Sequence, residues 1–92
     1  MDDTQIRRHL TSVRRLILDI IATEGPVAPE RIVTAWAAAR STASPRHRQA
    51  LPRMAAETLW RLENLEWVAA GPDGYRLTPL GDHARRTGNF AR

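Results

Sequence analysis

The 92-residue sequence contains no cysteine, which excludes disulfide frameworks, thiolate zinc sites and thiol nucleophiles together and leaves packing as the source of stability. It contains no lysine either, so all 14 basic residues are arginine. Codon composition alone can produce that bias, and it carries no functional weight by itself. Long apolar runs are missing. The longest aliphatic stretch, LILDII at 16–21, is interrupted by Asp19 and falls far short of a membrane span, and the sequence opens on Asp2 and Asp3 rather than on a basic leader. The expected setting is therefore soluble and cytoplasmic. Aromatic residues are limited to three Trp, one Tyr and one Phe, too few to fill a core and also supply the stacking series of a single-stranded nucleic-acid groove.

Signals for catalysis are equally sparse. His9, His47 and His83 fall on different expected elements with no metal-ligand spacing among them. Paired carboxylates, a glycine-rich phosphate loop and a nucleophile elbow do not occur. Neither an enzyme activity nor a cofactor or metal is expected.

What is present is an ordinary globular balance, 42% hydrophobic and 26% charged residues, which is enough for one compact domain over 1–92 and too little chain for two. Fourteen basic residues against ten acids give a formal net charge of +4. The basic residues are unevenly spread: from Arg31 to Ala56 there are five arginines (31, 40, 46, 48, 53) and His47 but no acid. Such a segment attracts phosphate or another anionic surface.

Helical periodicity organises the first half. Ile6, Leu10, Val13, Ile17 and Ile20 recur on one sector and predict a single amphipathic helix over about 4–23, capped by Asp2 or Asp3. Gly25-Pro26 ends it, Val27 is extended, and Pro29 starts a second helix to about residue 40 with Ile32, Val33, Trp36 and Ala39 inward. In STASPRHRQAL, Ser44-Pro45 offers a cap and a short turn or helix at 45–50. Pro52 would cost a helix interior about 3 kcal/mol, so the third main helix is expected over 52–65, with Ala55, Thr58, Leu59, Leu62 and Leu65 inward and Arg53, Glu57, Trp60 and Asn64 outward. Residues 67–78 read as a hairpin turning at Gly71-Pro72-Asp73-Gly74, packed through Trp67, Val68, Tyr75 and Leu77. Thr78-Pro79 caps a last helix over about 79–86, and TGNFAR looks loose.

The stretch TLWRLENLEWVAAGPDGYRLTPLGDHA at 58–84 resembles the end of the recognition helix, the wing and the following helix of PadR-like and MarR-like bacterial repressors. The shared features are an aromatic-Arg pair, two leucines, an apolar turn into the first wing strand, an Asp-Gly tip and a Leu-Thr-Pro-x-Gly exit. The resemblance covers about 27 residues by wording and about 80 by element order. It implies a mainly α fold with a small β-hairpin wing, a winged helix-turn-helix. The implied function is that of a sequence-specific double-stranded DNA-binding transcriptional regulator, a small bacterial or phage repressor acting as a homodimer through helix one and the C-terminal helix. Glu66 stands where such families usually have glycine, and the segment between helices two and three is longer than a tight turn.

On that reading Arg53 is the candidate base reader through guanine, or else a solvated helix-start residue. Trp60 packs on sugar and thymine methyl groups, anchors a protein contact, or lies against the 41–51 segment. Glu57 accepts from cytosine but repels phosphate, which keeps a second reading open: a winged-helix interaction module docking on a transcription or defence complex. Arg46, His47, Arg48, Arg61 and Arg76 are the candidate phosphate contacts, with Arg76 alternatively paired to Asp73 or Glu66. Arg48 and Arg53 are expected to project together. Arg7, Arg8, Arg14 and Arg15 form two pairs seven residues apart and are expected on one side of helix one, as a solvated stripe or a contact with flanking DNA or a partner.

Overall fold

The computed structural model describes residues 2–40 and 44–90, with side chains to residue 87. Five helices and one antiparallel hairpin follow in the order α1 (Asp3–His9), α2 (Ser12–Glu24), α3 (Pro29–Ala39), α4 (Pro45–Asn64), β1 (Val68–Gly71), β2 (Gly74–Leu77) and α5 (Pro79–Phe90). The expected single helix over 4–23 is two helices. Asp2 opens α1 with a capping box in which its carboxylate accepts from Gln5 N at 2.8 Å and Gln5 Oε1 accepts from Asp2 N at 3.2 Å. Leu10 then turns extended (ψ 91°), Thr11 Oγ1 accepts from Arg14 N to start α2, and Arg14 Nη1 donates to the His9 carbonyl at 2.7 Å. The apolar period runs unbroken across this junction because Ile6 and Ile17 enter the same core. Periodicity alone therefore hides the break. Its consequence is that Arg7 and Arg8 sit on α1 while Arg14 and Arg15 sit on α2, so the two arginine pairs are not repeats along one helix face.

The core lies between α2, α3 and α4. Ile17, Leu18, Ile20 and Ile21 meet Ile32 and Trp36 of α3 and Leu51, Ala55, Leu59 and Leu62 of α4. At about 1.5–3 kcal/mol for each large side chain removed from water, this cluster is the main stabilising term. Ala39, expected inward, is exposed in the last turn of α3. Ile6 from α1 and Ala84 from α5 close the far side, and Arg85 on α5 pairs with Asp19 on α2 at 2.8 Å.

The hairpin pairs Val68 with Leu77, Ala69 with Arg76, Ala70 with Tyr75 and Gly71 with Gly74. A two-stranded ribbon alone is marginal in water. Here a third backbone segment steadies it: Val27 exchanges both hydrogen bonds with Tyr75, at 3.0 and 2.8 Å. Gly74, at φ 117°, is required for this approach, since a β-carbon there would lie 2.4 Å from the Val27 carbonyl oxygen.

α4 ends in a Schellman arrangement. Trp67 N donates to the Leu62 carbonyl and Glu66 N to the Glu63 carbonyl, both at 2.9 Å, with Glu66 in the left-handed region at φ 63°. A non-glycine residue in that conformation carries strain. Glu66→Gly is expected to raise stability by about 1 kcal/mol, less the entropy that glycine adds to the unfolded chain. In a 92-residue domain that is roughly 4–8 °C in thermal midpoint. Calorimetry checks it, and a lowered midpoint refutes it.

Past Glu66, Thr78 Oγ1 donates to the Glu66 carbonyl and accepts from Gly81 N at 3.0 Å, which starts α5 as expected. That helix continues to Phe90 rather than ending near 86. Ala84 of this helix is buried, and His83 Nε2 lies 3.1 Å from Asp3 Oδ1 on α1. Residues 41–43, within the expected connection to helix three, and residues 91–92 lie outside the described residues. No helix among the described residues is long and apolar enough to cross a membrane.

Candidate nucleic-acid interface

α4 is the element that gathers most of the candidate residues, and it is longer than its sequence suggests. Ser44 Oγ accepts from His47 N, Pro45 occupies the first turn, and the helix passes through Pro52 to Asn64. The expected start at Pro52 is thus about two turns too late. Proline at 52 gives up the hydrogen bond to the Arg48 carbonyl and crowds it, a cost of about 3 kcal/mol. Burial of Leu51 immediately before it, which contributes about 1.5–3 kcal/mol, and the Ser44 cap, about 1 kcal/mol, offset that cost. The result is a 20-residue rod of roughly 30 Å at 1.5 Å per residue.

Continuity of this rod decides which side chains share a surface. With Leu51, Ala55, Leu59 and Leu62 turned to the core, a rotation of about 100° per residue places Arg46, Gln49, Arg53, Glu57 and Trp60 within a sector of roughly 80° on the opposite side. All five are exposed. Gln49 belongs to this strip although it was not among the expected contacts. It comes three residues after Arg46 and four before Arg53, a signal visible only once 45–50 and 52–64 are taken as one helix. Asn64 continues the line, but its amide donates to the Trp60 carbonyl at 2.7 Å.

The expectation that Arg48 and Arg53 project together is not met. Five residues apart on one helix, they lie about 140° apart around the axis, with Arg48 toward the side of Leu51 and Ala55. His47, half-buried, is about 120° from Arg53 on the other flank. His47 thus flanks the strip, and Arg48 lies on the far side of the helix from it. Arg61 is next to it, its guanidinium 5.3 Å from the Trp60 ring centroid, a cation–π contact. Arg76 is separated from the strip altogether. Successive side chains on a strand point to opposite faces: Tyr75 faces α3 and α4, whereas Arg76 lines a depression formed with the end of α2 and the start of α5. Among the described residues Arg76 forms no ion pair with Asp73 or Glu66.

Commitment of the other arginines sharpens the picture. Arg31 pairs with Glu24 at 2.7 Å, Arg85 with Asp19, Arg86 with Asp82 at 2.7 Å, and Arg14 holds the His9 carbonyl. Arg46 and Arg53 have no ion-pair partner among the described residues, and Glu57, one turn after Arg53, does not pair with it. Two guanidinium groups two turns apart are therefore available on one exposed face.

Trp60 is the exposed large hydrophobic residue of the described chain, at 60%, with its indole dividing two depressions. One, about 550 Å³, is lined by Arg14, Glu57 and Arg61 among others. The second, about 480 Å³, opens between α3, α4 and β2 and is mostly apolar. Tyr75 lines the latter, and its phenol is pushed above its ordinary value of 10.0 by burial first and then by the Glu63 carboxylate, through charge and as hydrogen-bond acceptor. Among the described residues no group of three or more His, Asp and Glu is placed to hold a metal ion. No family model, no curated protein and no solved structure matches the chain.

Proposed function

We propose that this protein is a winged helix-turn-helix regulator that binds double-stranded DNA with the outward face of α4. The observation that carries the reading is the strip Arg46, Gln49, Arg53, Glu57, Trp60, with both arginines uncommitted. An α-helix fits the width of the major groove, arginine can bond guanine through two parallel contacts, and glutamine can do the same with adenine. Arg46, near the helix start, takes phosphate, while Gln49 and Arg53 face base edges. The element order supports the same reading: α2, the Val27 segment, α3, α4 and a hairpin joined to Val27 match what the resemblance to PadR-like and MarR-like repressors implies. In this arrangement His47, on one flank of α4, contacts the backbone at the edge of the groove, while Arg48, turned toward the side of Leu51 and Ala55, takes no direct part. Arg61 and Arg76 have at most peripheral roles.

A homodimer formed along α1 and α5 would present two copies of α4 to one duplex. Its signature would be half-sites separated by one helical turn, about 34 Å. The decisive test is selection of a preferred duplex from a random pool, followed by fluorescence anisotropy. Arg53→Ala is expected to reduce the preference for the selected duplex over a random one by about 1–3 kcal/mol, roughly 5- to 150-fold, while affinity for the random duplex stays nearly constant. An unchanged preference refutes base reading by Arg53.

The exposed Trp60 beside Glu57 favours one alternative, an interaction module that docks on a protein of a transcription or defence complex. The two readings separate cleanly. Absence of duplex binding at low salt, together with loss of protein capture in Trp60→Ala, selects the second.

A further inference from the structure

The groove between α3, α4 and β2 has a chemistry that duplex binding does not use. Its volume, about 480 Å³, lies within the range of small-molecule sites, roughly 300–1,000 Å³. Val33, Leu59 and Tyr75 form its apolar part and the Trp60 indole one wall. The charged residues that line it are Glu30, in the first turn of α3, and Glu63, near the end of α4. No arginine is among its lining residues. A molecule of formal net charge +4 therefore carries an apolar groove edged by two carboxylates.

We propose that this groove binds a compact hydrophobic organic cation. Charge selects the class. An anion would meet two carboxylates, and a neutral apolar molecule would leave them without any gain. A small, strongly hydrated cation would lose its water shell against apolar walls. A cation whose charge is spread over, or shielded by, hydrocarbon and aromatic groups loses little hydration, packs on Val33 and Leu59, and meets the negative face of an indole. Tyr75 keeps its proton because burial and Glu63 disfavour the phenolate, so it adds an aromatic wall rather than a third negative charge. The site does not depend on the DNA reading, although an occupant would touch Trp60 at the edge of the α4 strip.

Isothermal titration of the full chain, without DNA, with tetraphenylphosphonium and tetraphenylborate tests the proposal, because the two probes share size and shape and differ in the sign of charge. The cation is expected to bind at least tenfold more tightly than the anion, against the direction that the net positive charge of the protein imposes on non-specific association. Glu30→Gln/Glu63→Gln is expected to weaken the cation at least tenfold and to remove the preference, with Glu30→Gln alone intermediate. Both carboxylates are exposed, so thermal midpoints should be close to wild type, and Val33→Trp, which fills the groove, should abolish binding of the cation. Equal or tighter binding of the borate, no binding of the phosphonium, or full cation affinity in the double glutamine variant would overturn the proposal.

Discussion

Gly81→Ala is expected to lower the thermal midpoint by more than about 10 °C, because an added β-carbon at this position meets backbone at the shortest distance among Gly25, Gly71, Gly74 and Gly81. On helix propensity alone the substitution should help, by up to about 1 kcal/mol. Geometry opposes it. A β-carbon at residue 81 would lie 1.8 Å from the Trp67 carbonyl oxygen and 2.7 Å from its carbon, so the backbone of α5 and that of the strand entry must separate. Neither side can yield by rotating a side chain, because Trp67 is fully buried and its carbonyl accepts from Thr78 N at 3.1 Å. Overpacking in a core costs about 1–3 kcal/mol, more where backbone must move. With roughly 4–8 °C per kcal/mol for a domain of this size, the steric cost exceeds the propensity gain. Gly71→Ala is the control: its β-carbon would meet nothing nearer than the Gly74 carbonyl at 3.7 Å, so a shift of similar size there would refute the steric explanation.

That contact also shows what the sequence discloses and what it does not. Thr78-Pro79 announces the start of α5 because a hydroxyl acceptor before a proline is a local signal, and the structure has that cap. The length of α5 is not local: its extension to Phe90 follows contacts with α1 and α2 that no window along the chain contains. Pro52 is the sharper case. Its local cost is real, yet buried Leu51 and Ala55 on either side hold the helix through it, so the tertiary gain overrides the break signal. This one difference redraws the candidate site, bringing Arg46 and Gln49 into line with Arg53 and turning Arg48 away from it. At the N-terminus the error runs in the opposite direction. An unbroken apolar period conceals the Leu10–Thr11 junction, whose only local mark is a threonine cap. The outward set on α4, Arg53, Glu57 and Trp60, was legible because three-and-four spacing relative to the leucines is insensitive to where the helix begins.

Arg46→Glu/Arg53→Glu is expected to weaken duplex affinity by at least 100-fold at about 100 mM salt, with the fold intact since both side chains are exposed. Each reversal removes a cation from the strip and places an anion against phosphate, so the loss exceeds that from the corresponding alanines. Arg7→Glu/Arg8→Glu changes the net charge equally on α1 and, on a duplex carrying a single half-site where dimerisation plays no part, is expected to cost less than about tenfold, because screening at this salt concentration reduces interactions beyond roughly 10 Å. Anisotropy with one labelled duplex distinguishes the pair of variants. Equal losses in both would mean that net charge, not the α4 strip, governs binding.

The most direct test of DNA recognition by α4 is the salt dependence of duplex affinity in the wild type and in Arg46→Ala. The logarithm of the association constant should fall linearly with the logarithm of salt concentration, and Arg46→Ala should flatten the slope by about 0.9, the share of one phosphate contact, without altering preference among sequences. An affinity that ignores salt, or a slope that Arg46→Ala leaves unchanged, would contradict the placement of this face against the DNA backbone.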